Sequence, residues 1–239
     1  LPPTNTHPSD PLPFASSYLL PTISTSAGYV LQLASIESSF LYQVTLGPNS
    51  FDHPDIAPLL VILEYLTTTE GPFWRQIRGL GLSYAYNISM NEEEGMITFA
   101  LYMAGSLIKA YAEALNIVRG YANGTTPFDL LRLEAAKSVV LYDIISREKT
   151  VSAAANQRLL SFFRRVPLNY NATLLEKVQG VTLEDVLCMC KRYLVQLFDP
   201  TKTTVSVATN PGKIEEVIAG LTDIGRKITR LESLEAFVS

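Results

Sequence analysis

The chain has 239 residues, 47% of them hydrophobic, and carries 23 acidic against 19 basic side chains for a net charge of −4. That is enough to bury a substantial core in one large domain, alone or with a short leader. The acidic balance excludes the concentrated basic face of a nucleic-acid binder, and no run approaches the ~20 apolar residues needed to span a bilayer. The basic pairs Arg164-Arg165 and Lys191-Arg192 read as solvated helix faces.

Residues 1–27 hold many of the prolines and read as an extended leader or linker. They contain neither a basic segment nor a hydrophobic signal core, and the chain starts on Leu1 instead of methionine. The expectation is a fragment of a larger protein or a processed product. From Tyr29 the pattern changes. Residues 29–36 and 39–46 are β-rich runs joined by Glu37-Ser38, and Gly47-Pro48-Asn49-Ser50 closes the second as a turn. A helix is predicted over 54–69, with Asp52 as its N-cap; its apolar residues spread beyond one stripe, so it should be covered on most sides. Gly71-Pro72 breaks it, and a short helix over 73–78 runs on to Gly79.

Residues 83–91 and 96–103 form a hairpin around Glu92-Glu93-Glu94-Gly95. Further helices are predicted over 106–121, from a Thr126–Asp129 capping box to 149, over 151–165, and from a Thr182–Asp185 capping box to 198. Residues 203–208 alternate as a last strand, Asn210-Pro211 opens a helix to Gly220, and 221–239 read as a charged tail. Consecutive hairpins followed by grouped helices give an α+β fold, a two-layer sandwich of a mostly antiparallel sheet against helices, with the domain over 28–220.

The chemistry-bearing stretch runs from Gly71 to Tyr86, where Arg75, Arg78, Tyr84 and Tyr86 crowd a helix-to-strand handover among glycines. Guanidinium offers five fixed donors and tyrosine one more, a set suited to holding a polar ligand group beside sheet backbone. Two blander roles stand beside this one. Tyr84 and Tyr86 lie on a strand face that packing alone explains, and Arg78 serves equally as a helix cap or as an ion-pair partner of Glu70 or Glu64.

Other candidates are poorer. Cys188 and Cys190 sit two apart in a helical run, point away from each other, and read as buried reduced thiols. His7 and His53 are the only histidines, and neither lies one helical turn from a second ligand, so no zinc site is predicted and His53 reads as a turn or cap residue. Asn87, Asn123 and Asn171 fit the N-glycosylation pattern, which is discounted without a secretory signal. The Glu92–Glu94 run reads as a solvated turn that can meet basic peptides.

Element order and motif together resemble one domain of the pitrilysin/insulinase family, the inverted-motif zinc peptidases. More narrowly, the chain is similar to the last of four such domains in a large fungal member of presequence-protease type. The resemblance spans roughly residues 28–220. Its most specific part is Arg78-Gly-Leu-Gly-Leu-Ser-Tyr84, supported by Ser38-Ser39-Phe40 and the 183–199 helix with its strand. Such enzymes carry H-x-x-E-H on the first long helix of their N-terminal domain. The equivalent helix here reads Val61-Ile-Leu-Glu64-Tyr65, with Val61 and Tyr65 in the zinc-ligand places and Glu64 alone retained.

The resemblance therefore implies a C-terminal domain without zinc, inactive alone and dependent on the catalytic N-terminal half of the same protein for its metal. Arg78 and Tyr84 would bind the carbonyl of an unfolded peptide substrate, with Arg75 as rival for the arginine role and Tyr86 as support. A location in cytoplasm or mitochondrion is implied in the same way. The alternatives are a scaffolding domain of the same fold, as in respiratory-complex core subunits, and a stand-alone peptide-binding module.

Overall fold

A computed structural model describes residues 27–233, so the leader (apart from Ala27), with His7, lies outside the described residues. Six strands form one sheet: β1 (Ala27–Gln32), β2 (Ser39–Leu46), β3 (Ser83–Asn91), β4 (Met96–Ala104), β5 (Thr204–Thr209) and β6 (Lys227–Leu231). Their order is β3-β4-β2-β5-β1-β6. The β3–β4, β2–β4 and β2–β5 pairs are antiparallel, while β1 runs parallel to both β5 and β6. Along β2 burial alternates, with Ser39, Leu41, Gln43 and Thr45 buried and Tyr42 and Leu46 exposed, the mark of a sheet covered on one face. The expected two-layer α+β sandwich is present.

The covering layer begins with α1 (Ile56–Thr67), whose residues Ile56, Leu59, Val61, Ile62, Leu63, Tyr65 and Leu66 are all buried. Against it lie α2 (Leu107–Ala122), α3 (Leu130–Ser146), α5 (Tyr170–Gln179) and α6 (Leu183–Met189), whereas α4 (Val151–Arg164) buries none of its side chains. Helix α6 continues through a π-helical turn at Cys190–Leu194 to Val195–Leu197. Its Thr182–Asp185 capping box is fully formed, with Thr182 Oγ1 accepting from Asp185 N at 3.2 Å and Asp185 Oδ2 accepting from Thr182 N at 2.9 Å. Helix α7 (Ile214–Asp223) packs behind β1 and β6.

Several expectations are corrected. The runs 29–36 and 39–46 are not a hairpin: the first strand ends at Gln32, and β5 inserts between the two. Gly28 leaves room for both flanking strands, since a Cβ there would come 2.4 Å from the Ile228 side chain and 3.3 Å from that of Val205. The 221–239 stretch is more than a tail, because α7 runs to Asp223 and β6 completes the sheet. Asn210 does not cap α7, which starts at Ile214; its Nδ2 donates to the Glu37 carbonyl at 2.9 Å and ties the β1–β2 link to the end of β5.

Asp52 does not cap α1 either. It accepts from the Ser50 hydroxyl, while Asp55, at the start of the helix, turns its carboxylate to Arg192 Nη1 and the Tyr193 hydroxyl, each at 2.8 Å. His53 does act in that turn: its Nδ1 accepts the Asp55 backbone N–H at 3.1 Å. Helix α3 is capped by Asp129, which accepts from Leu131 N and Arg132 N, instead of by Thr126. The stretch between Pro167 and Thr182, given no element from sequence, holds α5, anchored by Leu174 and Val178. Of the two cysteines, both free thiols, only Cys190 is buried; Cys188 is exposed.

Candidate functional site

The site is built where α1 hands over to β3. After α1 the chain turns through Gly71-Pro72 into a π-helical turn, Trp74–Arg78, closed by Gly79 N donating to the Trp74 carbonyl at 2.7 Å. Two glycines are required here. A Cβ on Gly79 would sit 2.6 Å from the Arg75 carbonyl oxygen, and Gly81 holds φ at +69°. Leu82 N donates to the Ile77 carbonyl at 2.9 Å, which folds the loop back so that β3 starts beside Arg78.

The outcome is that Arg78 and Tyr84 meet. The guanidinium carbon of Arg78 lies 5.2 Å from the centre of the Tyr84 ring, a cation–π contact. Both residues are exposed, Tyr84 by 63%. Among the described residues Arg78 has no carboxylate partner, so the ion pairs with Glu70 or Glu64 are not formed. Arg75, also exposed, stacks on no ring among the described residues. The π-helical winding explains this divergence, because with i→i+5 bonding residues three apart are no longer stacked on one side.

Tyr86 is placed differently. Its hydroxyl donates to the Thr67 carbonyl at 3.4 Å, its ring meets Phe73 edge-on at 5.7 Å, and burial pushes its pKa up to about 12. It braces the α1–β3 junction. Met103 was not singled out from sequence. It faces Tyr84 across the hairpin, between the paired positions Ser83↔Ala104 and Ala85↔Tyr102, with φ at 53° and half its surface exposed.

The H-x-x-E-H positions lie deep in the helical layer. Val61 and Tyr65 are fully buried, and the Tyr65 hydroxyl accepts the Asp129 backbone N–H at 3.0 Å while its ring packs on Tyr121 and Phe128. Burial raises the pKa of Glu64, opposed by a hydrogen bond from Thr68. No group of three His, Cys, Asp or Glu able to hold a metal occurs among the described residues. The residue types at this helix do not fit zinc.

Glu92 and Glu93 rim a cleft of about 350 Å³ with Phe51 and Tyr170 in its lining and Arg164 across from them, at the far end of β3 from Tyr84. Asn123 is exposed, whereas Asn171 is partly buried and bonds Glu148 and Arg147. No helix among the described residues is long and apolar enough to cross a membrane.

No family model matches the chain. An uncharacterised protein of Caenorhabditis elegans is 31% identical over 181 residues, and one of Saccharomyces cerevisiae is 31% identical over 196 residues. These alignments take in 76% and 79% of this chain but only 18% of each relative. A Schizosaccharomyces pombe protein is 29% identical over 92% of this chain and 22% of its own length. The chain thus spans about a fifth of the curated relatives it matches.

Among solved structures, a peptidase M16 inactive domain from Pseudomonas fluorescens superposes with a TM-score of 0.63 at 18% identity, covering 80% of this chain and 44% of that one. A protease from Helicobacter pylori gives 0.65 at 14% identity, with 78% and 45% covered. The periplasmic protease PqqL from Escherichia coli gives 0.59 at 15% identity, with 78% and 21% covered. The fold of this chain is the fold of an inactive M16 peptidase domain.

Proposed function

We propose that this chain is the non-catalytic, substrate-gripping domain of a longer zinc metalloendopeptidase of the pitrilysin/insulinase type. One observation carries the reading: Arg78, exposed and without a carboxylate partner among the described residues, is stacked on exposed Tyr84 at 5.2 Å by a loop that needs Gly79 and Gly81 for its path. A cation held on an aromatic ring, open to solvent and not neutralised locally, is poised for an external acceptor. A peptide carbonyl under attack develops negative charge on its oxygen, and each donor fixed beside it lowers the barrier by roughly 2.7–4 kcal/mol. The attacking water would come from zinc held by a separate domain of the longer protein. In this chain Arg78 and Tyr84 donate to the substrate carbonyl, and β3, an edge strand among the described residues, pairs with the extended peptide as an added strand.

Turnover of a fluorogenic peptide by the full-length protein tests the assignment. Arg78→Ala and Tyr84→Phe are each expected to lower kcat by about 10²-fold, in line with loss of one preorganised donor. Near-normal turnover with both replaced would assign the domain to scaffolding instead. The 239-residue chain alone is expected to cleave nothing and to lose zinc on dialysis; stoichiometric retained zinc would overturn the reading.

A further inference from the structure

The cleft at the far end of β3 carries opposite charges that do not meet. Glu92 and Glu93 line it from the β3–β4 turn, Arg164 from the last turn of α4, and Tyr170 from the first turn of α5. Among the described residues none of Glu92, Glu93 and Arg164 is in an ion pair. Arg164 instead lays its guanidinium carbon 5.1 Å from the centre of the Phe51 ring. Stacking of that kind uses the face of the group and leaves its in-plane N–H donors for an acceptor. The Tyr170 ring stands edge-on to Phe51 at 6.3 Å. Burial, and after it the charge of Glu92, push the Tyr170 hydroxyl up to about 12, so it stays protonated at neutral pH. The third carboxylate of the lining, Asp52, already accepts from the Ser50 hydroxyl.

The space matches the charges. The cleft holds about 350 Å³, at the small end of ligand sites, which suits a molecule of dipeptide size. A side hollow of about 110 Å³ shares Phe51, Pro167 and Tyr170 with it and adds the buried side chains of Ile56 and Leu174. That hollow gives an aliphatic side chain a place out of water. We propose that the cleft binds a zwitterion of dipeptide size, its carboxylate held by Arg164, its ammonium by Glu92 and Glu93, and an aliphatic side chain in the hollow. A lone cation or anion satisfies one wall and leaves the opposite charge uncompensated. A zwitterion satisfies both, and each charge-assisted bond is strengthened beside the partly dry aromatic floor. The site involves neither Arg78 nor Tyr84 and does not rest on the peptidase reading.

Isothermal titration of the 239-residue chain with leucyl-leucine tests this directly. Saturable one-to-one binding is expected. Capping either end of the dipeptide, as its N-acetyl form or its C-terminal amide, should weaken binding about tenfold or more, in line with loss of one charged bond. Arg164→Gln should weaken the free dipeptide by a similar factor and leave the amide unchanged. Glu92→Gln combined with Glu93→Gln should do the same and leave the N-acetyl form no weaker; circular dichroism checks that each variant is folded. The capped ligands are read on the wild-type chain, so they decide the matter even where a variant does not fold. Absence of saturable binding, equal affinity for the free and doubly capped dipeptides, or wild-type affinity in the folded variants overturns the inference. Weakening by only one of the two caps also overturns it, by assigning the cleft to a single charge.

Discussion

Arg226 is buried to 3% exposure, and among the described residues no carboxylate lies within ion-pair distance. Its Nη2 donates to Gln43 Oε1 at 2.7 Å, Thr203 Oγ1 at 2.8 Å and the Tyr111 hydroxyl at 3.3 Å, and its Nη1 reaches the Thr203 carbonyl at 3.5 Å. Two effects oppose each other in Arg226→Met. The substitution relieves a desolvated cation, which costs several kcal/mol. It also strands Gln43 Oε1 and the Tyr111 hydroxyl, at about 1–3 kcal/mol each, and deletes bonds from a charged donor that contribute about 1.5–3 kcal/mol apiece. Thr203 is spared, because its hydroxyl still donates to the Asp199 carbonyl at 2.9 Å. The bonds outweigh the relief, and a net loss of about 2–3 kcal/mol is expected. It should appear as a lower urea midpoint at unchanged m. Adding Gln43→Leu removes the stranded acceptor, so the double variant should be less destabilised than the sum of the singles by about 1 kcal/mol or more. An unchanged midpoint in Arg226→Met, or strict additivity, would refute this account.

Burial raises the pKa of Glu64, so the folded state holds that proton more tightly than the unfolded chain does. The resulting stability is complete below the unfolded carboxyl pKa and is lost as pH rises through the folded one. Glu64→Gln should therefore be neutral or stabilising at pH 7 in thermal unfolding, with any advantage gone below about pH 4; a Tm drop larger at pH 7 than at pH 4 contradicts it. Burial pushes the Cys190 thiol up to about 12, while Cys188 is exposed. A thiol reagent at pH 8 should label one cysteine in the native chain and the second only in denaturant, and rapid double labelling would show that the α6 π-turn opens.

Elements with strong local signals were legible in the sequence. The β3–β4 hairpin was announced by its Glu-Glu-Glu-Gly turn, and α6 by Thr182 and Asp185 at capping-box spacing. Strand neighbours were not, because β1 is completed by residues more than 170 positions away, and no local pattern encodes which distant valine strand it meets. Helix starts failed where an acidic residue had a better use elsewhere, as Asp55 does with Arg192 and Tyr193. At the candidate site the spacing of Arg78 and Tyr84 was visible, but the π-winding that separates Arg75 from Arg78 was not. The hydrogen bond between the Tyr42 and Tyr102 hydroxyls is not legible in the sequence either, because the two lie 60 residues apart and only the β2–β4 register makes them neighbours.

The insertion of β5 between β2 and β1 has a consequence for how the chain is made. Both neighbours of β1 come from beyond residue 203, so among the described strands this one waits longest for a partner. Until then β2 presents a raw edge on one side, and both Leu41 of β2 and Val30 of β1, each fully buried in the finished sheet, stay uncovered. Such long-range closure slows folding and extends the period in which a wrong pairing can form. A truncation just before Thr204 would keep every helix from α1 to α6, yet leave the sheet unable to close and its N-terminal strand a seed for aggregation.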